Sequence, residues 1–511
     1  MTPAKLRIVI LKPSKYSLDG HVERFRRGFM PNSTVPYLRS MTPAALDGVE
    51  IETVAIDEYV QTDLRYLNYL HETDYPTLLA LVGVQSHQFQ RSLDLAAYAR
   101  AHGVPHCVIG GPHPMTCDTR MFENSGVSFA LAEAEMIWLA IIRDAIGGKL
   151  QPVYGSEQRW QLELRSPVVT PLSTEDLRRY VVPMMGVYAA RGCPFTCNFC
   201  SVIKIAGRQI RSQDIETTMA TLRATKAAGV HMVMFTSDNF NKYPDAAALM
   251  RQMIDEEIGL RFFVQCDTQI ARQEELVELM GRAGCFQMFV GVESFNRKTL
   301  IAAHKAQNHP ELYGEIVRLC RKHGISTHFS NIIGFPEDTR ASVQRHVRVL
   351  RELEPDVASF YILTPIPGTE QYDDFLAGGL ITENNLDRFD GTAPTWRHPN
   401  LGHQELQTLL FDCYRDFYGA AHVLRTTWAN VRRNAAYGML PGCGFPIFAR
   451  YSAWKKMHPM AGGIWRVRRD SATDYRGLRR ERYGFDLAPL PRSLQLSAAD
   501  AELNLHARLA I

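Results

Sequence analysis

Residues 191–202 read RGCPFTCNFCSV and place Cys193, Cys197 and Cys200 at C-x3-C-x2-C spacing. The other seven of the ten cysteines are scattered singly, as buried small hydrophobes commonly are. The cluster is therefore the chemical signal in this chain. A structural zinc site closes with four ligands, yet no Cys or His follows Cys200 before His231, which sits in a strand-like run. A redox Cys-x-x-Cys pair leaves Cys193 unexplained. A four-iron cluster normally takes four thiolates, one per iron; three would leave one iron open to a small molecule, and that reading fits best. Gly192 and Pro194 suit a sharp loop around such a cluster. Phe199 is placed to shield it, to pack on a bound purine, or simply to fill the core.

Outward from this loop the chain alternates strand and helix patterns. Strands are expected at 185–191, 231–238, 261–268, 286–293, 326–334 and 357–365, separated by helical stretches that often end in Gly. Six such repeats of about 30 residues predict a partial (β/α)6 TIM-type barrel. Catalytic groups of such barrels lie at the strand C-termini, and the cysteine loop follows the first strand.

Upstream, "LRIVIL" (6–11), "VEIETVAI" (49–56), "LLALVGVQ" (78–85), "HCVIGG" (106–111) and "VSFALAE" (127–133) are apolar runs with helical stretches between them. They predict an α/β, doubly wound parallel sheet of Rossmann-like form, which would bind ligands at its carboxyl edge. The expected organisation is thus 1–150 for this domain, 151–182 for a linker, 183–385 for the barrel and 386–511 for a mainly helical extension. Hydrophobic residues make up 46% and charged residues 22% of 511, ordinary for a globular protein. A net charge of +3 is too balanced to suggest a nucleic-acid partner. No apolar run reaches membrane-spanning length. The N-terminus lacks the pattern of a signal peptide, so a cytoplasmic location is expected.

With Phe199 just before the last cysteine, the motif resembles that of the radical S-adenosylmethionine (radical SAM) family. The resemblance implies a [4Fe-4S] cluster on Cys193, Cys197 and Cys200 whose open iron chelates S-adenosylmethionine. It also implies reductive cleavage to a 5′-deoxyadenosyl radical that abstracts hydrogen from substrate. By the same resemblance, Asp238 and Asn239 in "FTSDNF" would meet the methionine end. Glu293 in "FVGVES" would bond the ribose or the ammonium, and Ile332 to Gly334 in "NIIGFPED" would meet adenine. "TPIPGT" (364–369) matches members that carry an extra N-terminal domain.

The first 150 residues are similar to the cobalamin-binding domain of one branch of that family. Ser86 in "GVQSHQFQRSL" would then bond the nucleotide tail of cobalamin. Gly110 and Gly111 in "VIGGPHP" would allow close backbone approach, and Glu133 in "ALAEAE" would lie nearby, although Ala132 and Ala134 stand where Gly is usual. "DGHVER" (19–24) lacks the Gly of the usual cobalt-ligating His motif. His21, His87 and His113 are candidate neighbours of the cobalt, with a surface or supporting place as the other reading of each.

The branch includes hopanoid C-methylases, whose helical extension is similar to "RHPNLGHQELQTLLFDCYRDFYG". The expected activity is methylation of an unactivated carbon of a small molecule or lipid. Methylcobalamin would carry the methyl group, and an external flavodoxin or ferredoxin would supply electrons. A radical oxidoreductase or cyclase is the alternative. A methylthiotransferase would need three more cysteines in the first domain, which has only Cys107 and Cys117. A non-enzymatic metal-binding module is the remaining class. Substrate is expected between the two α/β domains and the C-terminal helices. Phe445, Phe448, Tyr451 and Trp454 are candidates to line an apolar pocket there, and Cys443 to donate hydrogen.

Overall fold

The computed structural model describes residues 3–17, 21–120, 126–383, 385–434, 439–459 and 463–467. Asp19 and Gly20 of the "DGHVER" stretch lie outside the described residues.

The N-terminal region is a seven-stranded sheet. Its order is Ala45–Leu46, Val49–Asp57, Lys5–Lys12, Thr77–Leu81, His106–Gly110, Ser128–Ala130, Val153–Tyr154. All neighbours are parallel except the hairpin of the first two. Because successive side chains point to opposite faces, one strand feeds two cores. Leu6, Ile8 and Ile10 pack toward Trp138, Ile141 and Ile142 of helix Ala134–Ile146. Val9 and Leu11 pack toward Phe89, Leu93 and Ala96 of helix Ser86–Ala101. Burial on both sides explains why the central strands, such as Lys5–Lys12 and Thr77–Leu81, read as apolar runs.

The expected strand "LLALVGVQ" stops early, at Leu81. Gly83 turns the chain with φ +60°, and a helix begins at Ser86. The sheet also runs past residue 150, since Val153–Tyr154 pairs with Ser128–Ala130. In the same way Tyr372, Leu386 and Phe389 pack on the core of this first sheet although they follow the barrel.

The second sheet has six parallel strands in sequential order: Met185–Val187, Met232–Phe235, Arg261–Cys266, Cys285–Glu293, Ser326–Ile333 and Val357–Ile362. The order is open, so the barrel does not close between its first and last strands. Helices cover the outer face. The edge strand Val357–Ile362 is met by helix His403–Phe417 and Tyr418. Phe360 N donates to the Tyr414 hydroxyl (3.0 Å), and Ala358 N donates to the Tyr418 hydroxyl (2.8 Å), which donates to Ala358 O (2.7 Å). Two further helices follow, Ala420–Asn434 and Phe445–Trp454. Strand Ile464–Arg466 then returns to pair antiparallel with Phe25–Arg27.

Candidate active site between the two α/β domains

The cysteine loop leaves the barrel through a short hairpin, Ala190–Arg191 against Arg211–Ser212. Gly192 turns it with φ +98°, and a Cβ there would lie 2.2 Å from Gln209 O, so only glycine fits. Cys193 N donates to Gly207 O (3.2 Å) and Cys200 N to Cys197 O (3.1 Å). Asn198 anchors the loop through its N–H to Ala303 O and its Nδ2 to Ala302 O, both 3.2 Å.

All three thiols are half-buried and none is in a disulfide. Asn239 Nδ2 lies 3.9 Å from Cys193 Sγ, and Gln307 Nε2 lies 3.5 Å from Cys197 Sγ. Burial pushes the Cys193 thiol up and the Cys200 thiol up to about 12. Binding a cluster must therefore displace their protons. The donor set fits a [4Fe-4S] cluster: three sulfurs from one loop, amide donors aimed at two of them, and a cation beside them. That cation is Lys305, held 2.6 Å from Glu293 Oε1. Burial opposes its charge, but Glu293, Cys197 and Cys200 outweigh this and keep it protonated.

The residues expected to meet S-adenosylmethionine lie on the strand ends around this loop. Asp238 accepts from Gly192 N (2.8 Å) and lines the interdomain cleft, and burial raises its pKa. Asn239 donates to Asp267 Oδ2 (2.8 Å) as well as facing Cys193. Glu293 has φ +60°, a left-handed conformation costly for a side chain with a Cβ. It follows a register shift after Gly291, where a Cβ would come 2.5 Å from Glu293 Oε1. Ile332 packs with Phe199, Phe335 and Trp396. Gly334 has φ +82°; its N–H and that of Phe335 both donate to Asp338 Oδ2, at 2.9 and 3.0 Å. The sequence reading missed Lys305, Gln307 and Asp338. No motif marks them: the first two come from the loop after a short helix, and Asp338 acts through a backbone turn.

The carboxyl edge of the first sheet borders a cleft of about 270 Å³ whose other side includes Arg191, Ile205 and Ala206, at the two ends of the cysteine loop. Its first-domain wall is small and apolar: Ala80, Gly110, Ala130 and Ala132, with Trp138 above. Arg191 and Asp238, beside Gly192, form part of the opposite wall. A Cβ on Gly110 would meet Ala130 Cβ at 3.1 Å. Such a floor suits a flat apolar ring system, so the residues fit the buried end of a cobalamin.

The residues expected to touch cobalamin are engaged within the protein. Ser86 Oγ lies 3.0 Å from His113 Nδ1, and His113 is fully buried against Phe89. Gly111 has φ +135°, and a Cβ there would fall 2.1 Å from Val84 N. It lets the chain cross the neighbouring strand end. Glu133 is bonded to Arg211 (2.7 and 2.8 Å) and paired with Arg191 (3.1 Å), which also pairs with Glu135 (2.7 Å). Burial works against the Glu133 charge, but Arg211 and Arg191 hold it below the usual carboxylate range. This hub ties the first domain to the hairpin that carries the cysteine loop.

A second, polar lobe lies at the junction of all three regions. Lys15, His87 and Gln88 line it from the first domain, Tyr361 from the last barrel strand, and Asp390 and His458 from beyond. Lys15 and Asp390 form an ion pair. Burial pushes His87 down to about 3 and His458 to about 4, so both are neutral. This is where substrate was expected, but the aromatic run does not line it. Phe445 packs on Phe29 and His328 instead, while Tyr451 and Trp454 are 50% and 72% exposed. Cys443 donates to Met439 O and is not in the lobe.

Residues 187–350 match the family model of the radical SAM superfamily. This is a radical SAM domain. The match runs from the end of the first barrel strand into the helix before the last one and includes the cysteine loop. Over longer stretches the chain is similar to bacteriochlorophyllide d C-12(1)-methyltransferase of Chlorobaculum tepidum, at 25% identity over 62% of this chain and 70% of that one. It is also similar to hopanoid C-2 methylase of Rhodopseudomonas palustris, at 24% identity over 59% of this chain and 58% of that one. Among solved structures, the methyltransferase TsrM from Kitasatospora setae, with cobalamin and a [4Fe-4S] cluster bound, superposes with a TM-score of 0.65. It covers 88% of this chain and 99% of that one at 16% identity, so the radical SAM domain and its N-terminal partner share that fold.

Proposed function

We propose that this protein is a cobalamin-dependent radical SAM methyltransferase that methylates an unactivated carbon of a small molecule or lipid. The carrying observation is the shared cleft: the apolar carboxyl edge of the first sheet faces Arg191 and Asp238, which flank the cysteine loop. When bound, the cluster would supply the electron that cleaves S-adenosylmethionine, and cobalamin would supply the methyl group.

The chain's own residues hold and orient these groups. The three thiolates bind the cluster, and Asn239 and Gln307 donate to them. The Lys305–Glu293 pair sets a cation beside the sulfurs. Asp338 fixes the Gly334 turn toward which adenine is expected. The neutral His87 and His458 in the polar lobe suit an uncharged polar part of a substrate. An external flavodoxin- or ferredoxin-type donor completes the system, in a reducing, cytoplasmic setting.

The test is anaerobic purification with iron, sulfide and hydroxocobalamin, followed by turnover with methyl-deuterated S-adenosylmethionine and candidate apolar substrates. The expected result is about one cobalt per chain, formation of 5′-deoxyadenosine and a product carrying the label. Deoxyadenosine without label in the product would overturn methyl transfer in favour of oxidation or cyclisation. A protein that retains no cobalt would overturn the cobalamin assignment.

A further inference from the structure

Residues 417–469 contain no Asp or Glu and nine Lys or Arg, although the whole chain carries only +3. The same 53 residues hold three of the six tryptophans. Helix Ala420–Asn434 turns its polar residues inward: Asn430 Nδ2 donates to Asp356 Oδ1 (2.8 Å), and His422 Nε2 lies 3.2 Å from Asp356 O. Its outward side presents Leu424 and Trp428, one helical turn apart and 73% and 66% exposed. Helix Phe445–Trp454 repeats the pattern with Ile447, Tyr451 and Trp454 at i, i+4 and i+7, each at least 50% exposed. Both outward stripes are thus apolar, the reverse of an ordinary surface helix. The turn that leads into the second helix is bonded to the first, where Gly442 O accepts from the Thr426 and Thr427 hydroxyls, both at 3.0 Å.

Cations sit directly on the exposed rings. Arg432 lies 5.2 Å over Trp428, and Lys455 lies 4.1 Å over Trp454. Exposed tryptophan and tyrosine with aliphatic neighbours, flanking Lys and Arg and no acid, is the composition of helices that lie in the plane of an anionic bilayer. A second copy of the chain would set this cationic face against itself. A nucleic acid would match the arginines but not the exposed Leu424 and Ile447. No described helix is long and apolar enough to cross a membrane, so the contact is with a surface.

We propose that the outward face of helices Ala420–Asn434 and Phe445–Trp454 docks on an anionic lipid bilayer. Asp356, bonded by the inward side of helix Ala420–Asn434, precedes the last barrel strand. Helix Ala420–Asn434 therefore packs at the end of the barrel opposite the cysteine loop, whereas helix Phe445–Trp454 leads on to His458, which lies 2.7 Å from Phe360 O and lines the polar lobe. The inference stands independently of the methyl-transfer reading, because it concerns neither cofactor nor substrate.

The test is flotation of the full chain with vesicles of equal phosphatidylglycerol and phosphatidylcholine, compared with phosphatidylcholine alone, at 0.1 M and 0.5 M salt. The chain is expected to float with the anionic vesicles only and to be released by high salt. Trp428→Ser with Trp454→Ser should weaken binding at least tenfold. Arg432→Gln, Lys455→Gln and Lys456→Gln together should weaken it on the order of 100-fold, at roughly fivefold per charge removed. Both variants should keep the iron content and melting temperature of the parent, which separates lost docking from misfolding. Failure of the full chain to float with anionic vesicles would overturn the proposal. So would flotation insensitive to both variants, or single-stranded RNA binding lost in the charge variant but unchanged in the tryptophan variant.

Discussion

The cysteine loop and the rim of the first sheet face each other across one cleft, yet they commit their side chains in opposite ways. In the loop, three thiols come from one short stretch and stay out of any disulfide, with amide donors from Asn239 and Gln307 near two of them. On the rim, the residues with chemistry are engaged by the protein itself. Ser86 meets His113, Gly111 makes room for Val84, and Glu133 holds two arginines. What remains for a ligand there is space lined by small side chains. A cofactor held by coordinate bonds needs particular atoms at particular spacings. One held by burial needs a shape, and many sequences can build a shape.

Replacing Cys193, Cys197 or Cys200 by Ala tests the first half most severely. Each variant should lose the cluster absorption and bring deoxyadenosine formation to background, while the fold persists, because no disulfide or core packing depends on these thiols. A variant that retained full cleavage would break the contrast at its stronger end.

Glu133→Gln tests the second half. Removing one partner of a buried ion pair leaves charge uncompensated and should cost about 3 kcal/mol in denaturant unfolding. Because Arg211 and Arg191 depress the Glu133 pKa below its ordinary value of 4.5, its contribution is complete above that pH and is lost as pH falls through the folded value. Parent stability should therefore fall below about pH 4.5 more steeply than that of the variant. Equal acid profiles would show that the hub carries no stability.

The adjacent glycines sharpen the same contrast. Gly111→Ala forces a Cβ against backbone and should destabilise by about 2 kcal/mol. Gly110→Ala meets only Ala130 and should leave stability within about 1 kcal/mol while weakening cobalamin uptake. If the effects on cobalamin were reversed, the ligand would be held by Gly111 and not by the cleft floor. The smallest effect is expected from Ser86→Ala: a loss near 1 kcal/mol from the His113 contact, with cobalamin affinity unchanged. A large drop in affinity would return Ser86 to the ligand.

This division also explains what could be read in the sequence. Eleven strands of the two main sheets were legible because strands buried on one or both faces leave alternating or continuous apolar runs, and the loop was legible because only cysteine supplies thiolates. Val153–Tyr154 was not: two residues carry no period, and only pairing with Ser128–Ala130 makes them a strand. Lys305 and Gln307 were invisible because their importance lies in distance to sulfur, which no local pattern encodes. The roles of Ser86 and Glu133 within the protein were hidden because their partners, His113 and Arg211, stand 27 and 78 residues away. Tyr451 and Trp454 looked like pocket lining because aromatic spacing does not say whether a helix turns that face inward.

The two tyrosine hydroxyls on the last barrel strand have a wider consequence. A ribbon left unzipped along one side invites a stranger's backbone, and self-recognition by such edges is a common route to aggregation. Here phenols stand in for the missing neighbour, so the helical extension works as a chaperone covalently attached to its client. Shortening the protein before Tyr414 would create a sticky margin, and a preparation trimmed to the catalytic domains should clump even though every metal-binding residue survives.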